Sequence, residues 1–214
     1  KRQRCDEPLA RGGGDRDAEG KLRRPADVVT PLHAMDYAEQ LVVKRRGLLD
    51  ALRKLPDAMK AAARTVPNDH KQAFRQLAWL DPERVRAFDG APCPLGEVVP
   101  ARITHGYRNK CEFSFGRDEA GAPCLGFQLG SIRTVGAVVG PPDECPNVSE
   151  AMKAVVRRVQ QFLSTSALPP FDKISLEGYW RQLTVRQAFH TAGSGPTPLM
   201  LVVLVLSTAV GPAA

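Results

Sequence analysis

The chain has 214 residues, only 6% of them aromatic, and no apolar run long enough for a membrane helix. Its longest run, "LMLVVLVL" at 199–206, has eight residues, against the roughly twenty needed to span a bilayer. It reads instead as a buried strand. Cysteine is sparse and scattered, at Cys5, Cys93, Cys111, Cys124 and Cys145. No two make a C-x-x-C clip, and His33, His70, His105 and His190 show no ligand spacing beside them, so no metal site is assigned. An odd cysteine count in a chain this long argues against a disulfide framework and for a reducing compartment. Catalytic signatures are missing as well. There is no P-loop, no G-x-G-x-x-G between strand and helix, no G-x-S-x-G and no H-E-x-x-H. "RGGGD" at 11–15 follows no strand, and the acidic pairs Asp118-Glu119 and Asp143-Glu144 sit in turns, where acids are ordinary. No catalytic residue is assigned. The first residue is Lys rather than Met, so the true N-terminus and any targeting signal are expected upstream.

What the chain does have is basic charge. Thirty Lys and Arg against 23 Asp and Glu give a net charge of +7, and a hydrophobic content of 43% is enough for at least one core. The length suits one or two domains. The charge favours a polyanionic partner, nucleic acid first and an anionic membrane surface second. Many soluble proteins are mildly basic, so charge supports such a partner without establishing it.

Residues 1–30, with "RGGGDRDAEGKLRRP", hold almost no large apolar side chains and are expected to be a disordered tail or linker. A helical segment follows over 31–88. Asp36 is a candidate N-cap, Tyr37, Leu41, Leu48, Leu52 and Leu55 recur at helical spacing, and Pro56 marks the expected end. Residues 57–88 read as short helical pieces broken at Pro67 and Pro82, the last capped by Asp81.

The apolar period then changes to two. A central domain over 97–206 is expected to hold strands at 107–115, 124–130 and 134–139, and a helix carrying Met152, Val155, Val156, Val159, Phe162 and Leu163 on one stripe. Strands at "KISLEG", 180–190 and 199–206 complete it, with 207–214 left as an unstructured end. The fold class is α+β, a mostly antiparallel sheet packed by amphipathic helices.

In "HGYRNKCEFSFG", residues 105–116, Tyr107, Asn109, Cys111, Phe113 and Phe115 fall on one strand face, and Arg108, Lys110, Glu112 and Ser114 on the other. In 180–190, Leu183, Val185 and Phe189 share one face, while Trp180, Gln182, Thr184, Arg186 and His190 share the other. Cations, an amide and an indole on a polar sheet face suit phosphate contact and base stacking. Arg108, Lys110, Trp180, Gln182 and Arg186 are therefore the candidate RNA-binding residues. The ordinary alternative is a surface where Trp180 packs against a helix and Arg186 meets a carboxylate.

The wording of these segments resembles the RNA uridine-5-methyltransferases. "DYAEQLVVKRRGLLDAL" is similar to the family's opening helix, "VPARITHGYRNKCEFSFG" to the strand opening its central domain, "CLGFQLGSIRTVGAV" to the next hairpin, and "GYWRQLTVR" to a later strand. Tyr107, Arg108, Lys110, Glu112 and Phe113 are the most specific part, and the animal cytosolic and nuclear tRNA branch is the most similar in wording. The resemblance implies tRNA as partner and S-adenosylmethionine as methyl donor. It places the chemistry in a C-terminal Rossmann-like domain, where a cysteine thiolate adds to C6 of uracil and a base removes the C5 proton. That domain's Cys-Gly-x-Gly, Asp-Pro-Pro-Arg and Ser-Cys-Asn-Pro strings do not occur here.

The expectation is thus the N-terminal and central, RNA-binding part of a tRNA uracil-5-methyltransferase, inactive by itself and without a cofactor site. The missing catalytic domain would be its intramolecular partner. The resemblance places the protein in cytoplasm or nucleus and leaves a mitochondrial location open. A stand-alone RNA-binding module and a protein-interaction domain meeting an acidic partner remain as alternatives.

Overall fold

A computed structural model describes residue 16 and residues 19–65, 67, 81–190 and 197–207. They divide into two units, one within Met35–Ala101 and the other drawn from Ala10–Ala34 and Arg102–Ala214. The expected tail is the first departure. Helix α1 (Pro25–Val29) opens with Pro at its first position and belongs to the second unit, where Ala26 is fully buried and Leu22 nearly so. A single turn is too short for periodicity to reveal, and a small Ala can seat close against a sheet without large apolar neighbours. Residues 1–15 lie outside the described residues, as do 208–214 of the expected end.

In the first unit, the Asp36 carboxylate accepts from the Ala38 N–H at 2.9 Å and starts α2 (Tyr37–Thr65). The helix does not stop at Pro56. An interior proline costs about 3 kcal/mol through a lost hydrogen bond and a ring clash, but "DAMKAAA" beyond it is rich in strong helix formers, and α2 runs on to Thr65. Leu48 and Leu55 of the expected apolar stripe are exposed. Helix α3 (Pro82–Ala87) begins as its sequence suggests, with Asp81 accepting from the N–H groups of Glu83 and Arg84.

The second unit holds β1 (Lys110–Arg117), β2 (Pro123–Gln128), the short α4 (Ile132–Val135), β3 (Val139–Gly140), α5 (Glu150–Thr165), β4 (Trp180–His190) and β5 (Thr197–Leu206). The sheet order is β3-β2-β1-β4-β5, and every pair is antiparallel. Asp118 closes the β1–β2 turn by accepting from the Ala120 and Ala122 N–H groups. Helix α5 is capped by Ser149, whose hydroxyl accepts from the Met152 N–H. Its buried Met152, Val156 and Leu163 form one core with Cys111, Phe113, Phe115, Leu125, Leu183 and Val185. Gln160 fastens helix to sheet by accepting from the Leu125 N–H and donating to the Pro123 carbonyl. Gly126 leaves room for β3, since a Cβ there would collide with the Gly140 carbonyl.

Several local expectations are corrected. The 134–139 stretch is mostly the α4 turn and its exit, with only Val139–Gly140 in the sheet. "KISLEG" is a loop nucleated by Asp172, whose carboxylate accepts from Ile174 and Ser175. Phe162 is 56% exposed, whereas Lys153 is buried and donates to Glu150 at 2.9 Å. Tyr107 precedes β1 and is exposed rather than in the core. The apolar run at 199–206 is a strand, but it lies at the sheet edge with Leu199, Leu201 and Val202 through Leu206 all at least 40% exposed.

Candidate nucleic-acid interface

The β1–β4 register sets Lys110 opposite Arg186, Glu112 opposite Thr184 and Ser114 opposite Gln182. The alternating residues Cys111, Phe113, Leu183 and Val185 enter the core. The first six therefore share the outer face, away from α5. Lys110 and Arg186 are both exposed. Like charges directly opposite each other destabilise a sheet. Here Glu112 offsets the repulsion, with Lys110 Nζ 2.6 Å from its Oε1. The hydrogen bond from Lys110 holds the Glu112 carboxyl below its usual range, and Arg108 adds a weaker attraction.

Arg108 lies just before β1, where its backbone N–H donates to the Asn147 carbonyl at 3.1 Å and its side chain is exposed. Gln182 is half-buried and donates to Thr184 Oγ1 at 3.2 Å. Fold and register thus bring Lys110 and Arg186 to one end of the outer face, with Arg108 just before β1, and set Gln182 on the same face at the other end, opposite Ser114.

Trp180 does not join them. A bulge between Trp180 and Gln182 inserts one residue and reverses the alternation, so Trp180 turns into the core at 8% exposure. Its ring packs against Phe115, Phe162 and Tyr179, and its Nε1 donates to Ser166 Oγ and the Leu168 carbonyl. It is a structural residue with no face left for a base.

Two cations that periodicity did not single out also reach this sheet. Lys173, from the 171–179 loop, donates to Ser114 Oγ at 3.1 Å and Gln128 Oε1 at 2.8 Å. Burial, and secondarily Arg181, pull its pKa below the ordinary lysine value. The Arg181 guanidinium lies 4.4 Å from the centre of the Phe171 ring. Among the described residues, no ion pair involves Arg108, Lys173, Arg181 or Arg186.

The thiols are of another kind. Cys111 is 1% exposed, burial pushes its thiol up, and the same cause takes Cys124 and Cys145 up to about 11. Such thiols are poor nucleophiles. Among the described residues, no helix is long and apolar enough to cross a membrane, and no group of three or more His, Cys, Asp or Glu could hold a metal ion.

The decisive comparison is with human tRNA (uracil-5-)-methyltransferase homolog A, 33% identical over 186 residues that cover 86% of this chain and 28% of that protein. This chain is a relative of the tRNA (uracil-5-)-methyltransferases. Human homolog B of the same methyltransferases is 31% identical over 76% of the chain and 30% of its own length. An Arabidopsis thaliana protein named zinc finger CCCH domain-containing protein 24 is 36% identical over 80% of the chain and 20% of its own length. The chain therefore spans less than a third of each of these three relatives. No protein-family model matches it.

Proposed function

We propose that this chain is the tRNA-positioning part of a tRNA uracil-5-methyltransferase, and that methyl transfer to uracil is performed by a part of the protein these residues do not supply. The observation that carries the reading is the opposition of Lys110 and Arg186 across β1 and β4. Two exposed cations on an outer sheet face, with Arg108 beside them, can accept an RNA phosphate between them, and the anion would relieve their repulsion. Contacts of this kind set position and orientation without reading sequence.

The methyl donor implied by the relatives is S-adenosylmethionine. Among the described residues of this antiparallel sheet, no glycine-rich turn carries a strand into a helix N-terminus. The buried cysteines also lack a thiolate-stabilising environment. No chemical step is assigned to the described residues.

Binding of unmodified tRNA to the chain, measured over a series of salt concentrations, tests the reading. Arg108→Ala, Lys110→Ala and Arg186→Ala should each weaken binding and lower the slope of log affinity against log salt by about 0.7–0.9. Lys110→Ala should give the smallest effect, because Glu112 already occupies that ammonium. Folded Arg108→Ala and Arg186→Ala proteins with wild-type affinity and slope would remove the reading.

A further inference from the structure

On that reading of the outer face, we propose that Lys173 and Arg181 form a second RNA-phosphate subsite, at the opposite end of the face from Lys110 and Arg186. Ser114, which receives Lys173, lies on the same side of β1 as Lys110. Four residue steps of strand separate the two, about 13 Å at the usual rise. Gln128 belongs to the same face, because its strand neighbour Gly126 is opposite Ser114.

Lys173 is held in an unusual way for a cation. Its ammonium is half-buried, donates to two neutral oxygens and has no carboxylate among the described residues. A second cation stands near enough to disfavour its charge further. Desolvating an ammonium beside a guanidinium is costly unless something offsets it. A phosphate would do so. An ammonium has three donors, two of which are used here, and the third is left for an anion. Arg181 is prearranged for the same purpose, since stacking over Phe171 fixes its planar fork while leaving the residue exposed. The bulge that buries Trp180 is also what inserts Arg181 here. One irregularity thus removes an aromatic from the face and supplies a cation at its end.

The test uses the full chain, unmodified transcribed tRNA and the same salt series. Arg181→Gln and Lys173→Met should each lower the salt slope by about 0.7–0.9 and weaken binding, while Lys173→Arg should retain most of both. Arg181→Gln decides the matter if Lys173→Met folds poorly, because the Arg181 side chain can be removed without opening the core. Wild-type slopes for both variants, alongside reduced slopes for Arg108→Ala and Arg186→Ala, would overturn this subsite and leave the first one standing. Earlier melting of Lys173→Met with an unchanged slope would make Lys173 a clamp between loop and sheet, and would equally overturn it. Absence of salt-dependent tRNA binding by the wild-type chain would overturn both readings together.

Discussion

Replacing Trp180 by Ala should unfold the second unit more readily and leave RNA binding by the folded molecules intact. The indole is 8% exposed and contacts three aromatic rings at centroid distances of 4.8, 5.5 and 6.0 Å. Truncating a side chain of that size in a core costs about 3–5 kcal/mol, transfer and cavity together. At roughly 3 °C per kcal/mol for a unit of this size, the melting temperature should fall by roughly 10–15 °C. Trp180→Phe keeps a ring but loses the Nε1 donation to Ser166 and Leu168, adding about 1 kcal/mol of hydrogen-bond loss to a smaller packing defect. Circular-dichroism melts and urea titrations give the stability, and tRNA binding below the transition gives the affinity. A Trp180→Ala protein that melts with the wild type but loses tRNA affinity would refute the reasoning, because it would mean that the ring faces RNA rather than the core.

Asp27 is drawn down from 3.8 to about 2 by hydrogen bonds from Arg24 and then from His33. Since its folded pKa lies below its unfolded one, the stabilisation is complete above about pH 4 and is lost as pH falls towards 2. Asp27→Asn should lower the urea midpoint at pH 6 and flatten the stability curve between pH 4 and 2, and an unchanged acid limb would refute the assignment. Alkylation of the native protein should modify exposed Cys93 and spare Cys111, Cys124 and Cys145, as read by peptide mass mapping, and rapid labelling of Cys111 would contradict the core packing. Val203→Lys, on the outer side of β5 and 44% exposed as Val, should raise the concentration at which light scattering detects aggregation without lowering the melting temperature.

Where a single element carried its own complete pattern, the sequence was enough to find it. Asp36 before an apolar stripe, Asp81-Pro82, and the alternation of Cys111, Phe113 and Phe115 each act through neighbours within one turn or one strand. The helix starts and the buried face of β1 follow from them. Elsewhere the local pattern is overridden. Counting in twos puts Trp180 on the outer face, and one inserted residue in a bulge defeats such counting. Pro56 looks like a terminator only until the helix-forming residues beyond it are weighed. The run at 199–206 is apolar enough for an interior, but burial depends on what lies beside a strand, and its position at the edge follows from topology. Lys173 and Arg181 carry no sequence signal, because two isolated cations in a loop and a bulge have no spacing to recognise. The fold alone brings them together.

The two margins of the sheet differ in a way that limits how copies of the chain could join. At one margin β3 is only Val139–Gly140, and Pro25 of α1 sits against Gly140, where an added Cβ would strike it. At the other, β5 pairs with β4 alone among the described strands, and no charged residue interrupts it from Thr197 to Leu206. A body with two open margins can add copies indefinitely and grow into a fibre. A body with one cannot. Backbone pairing through β5 would place two copies about a two-fold axis, the same strand contributed by each, and would leave at both outer ends a β3 margin only two residues long. So short a margin offers little backbone to pair, and growth of that kind would stop at two.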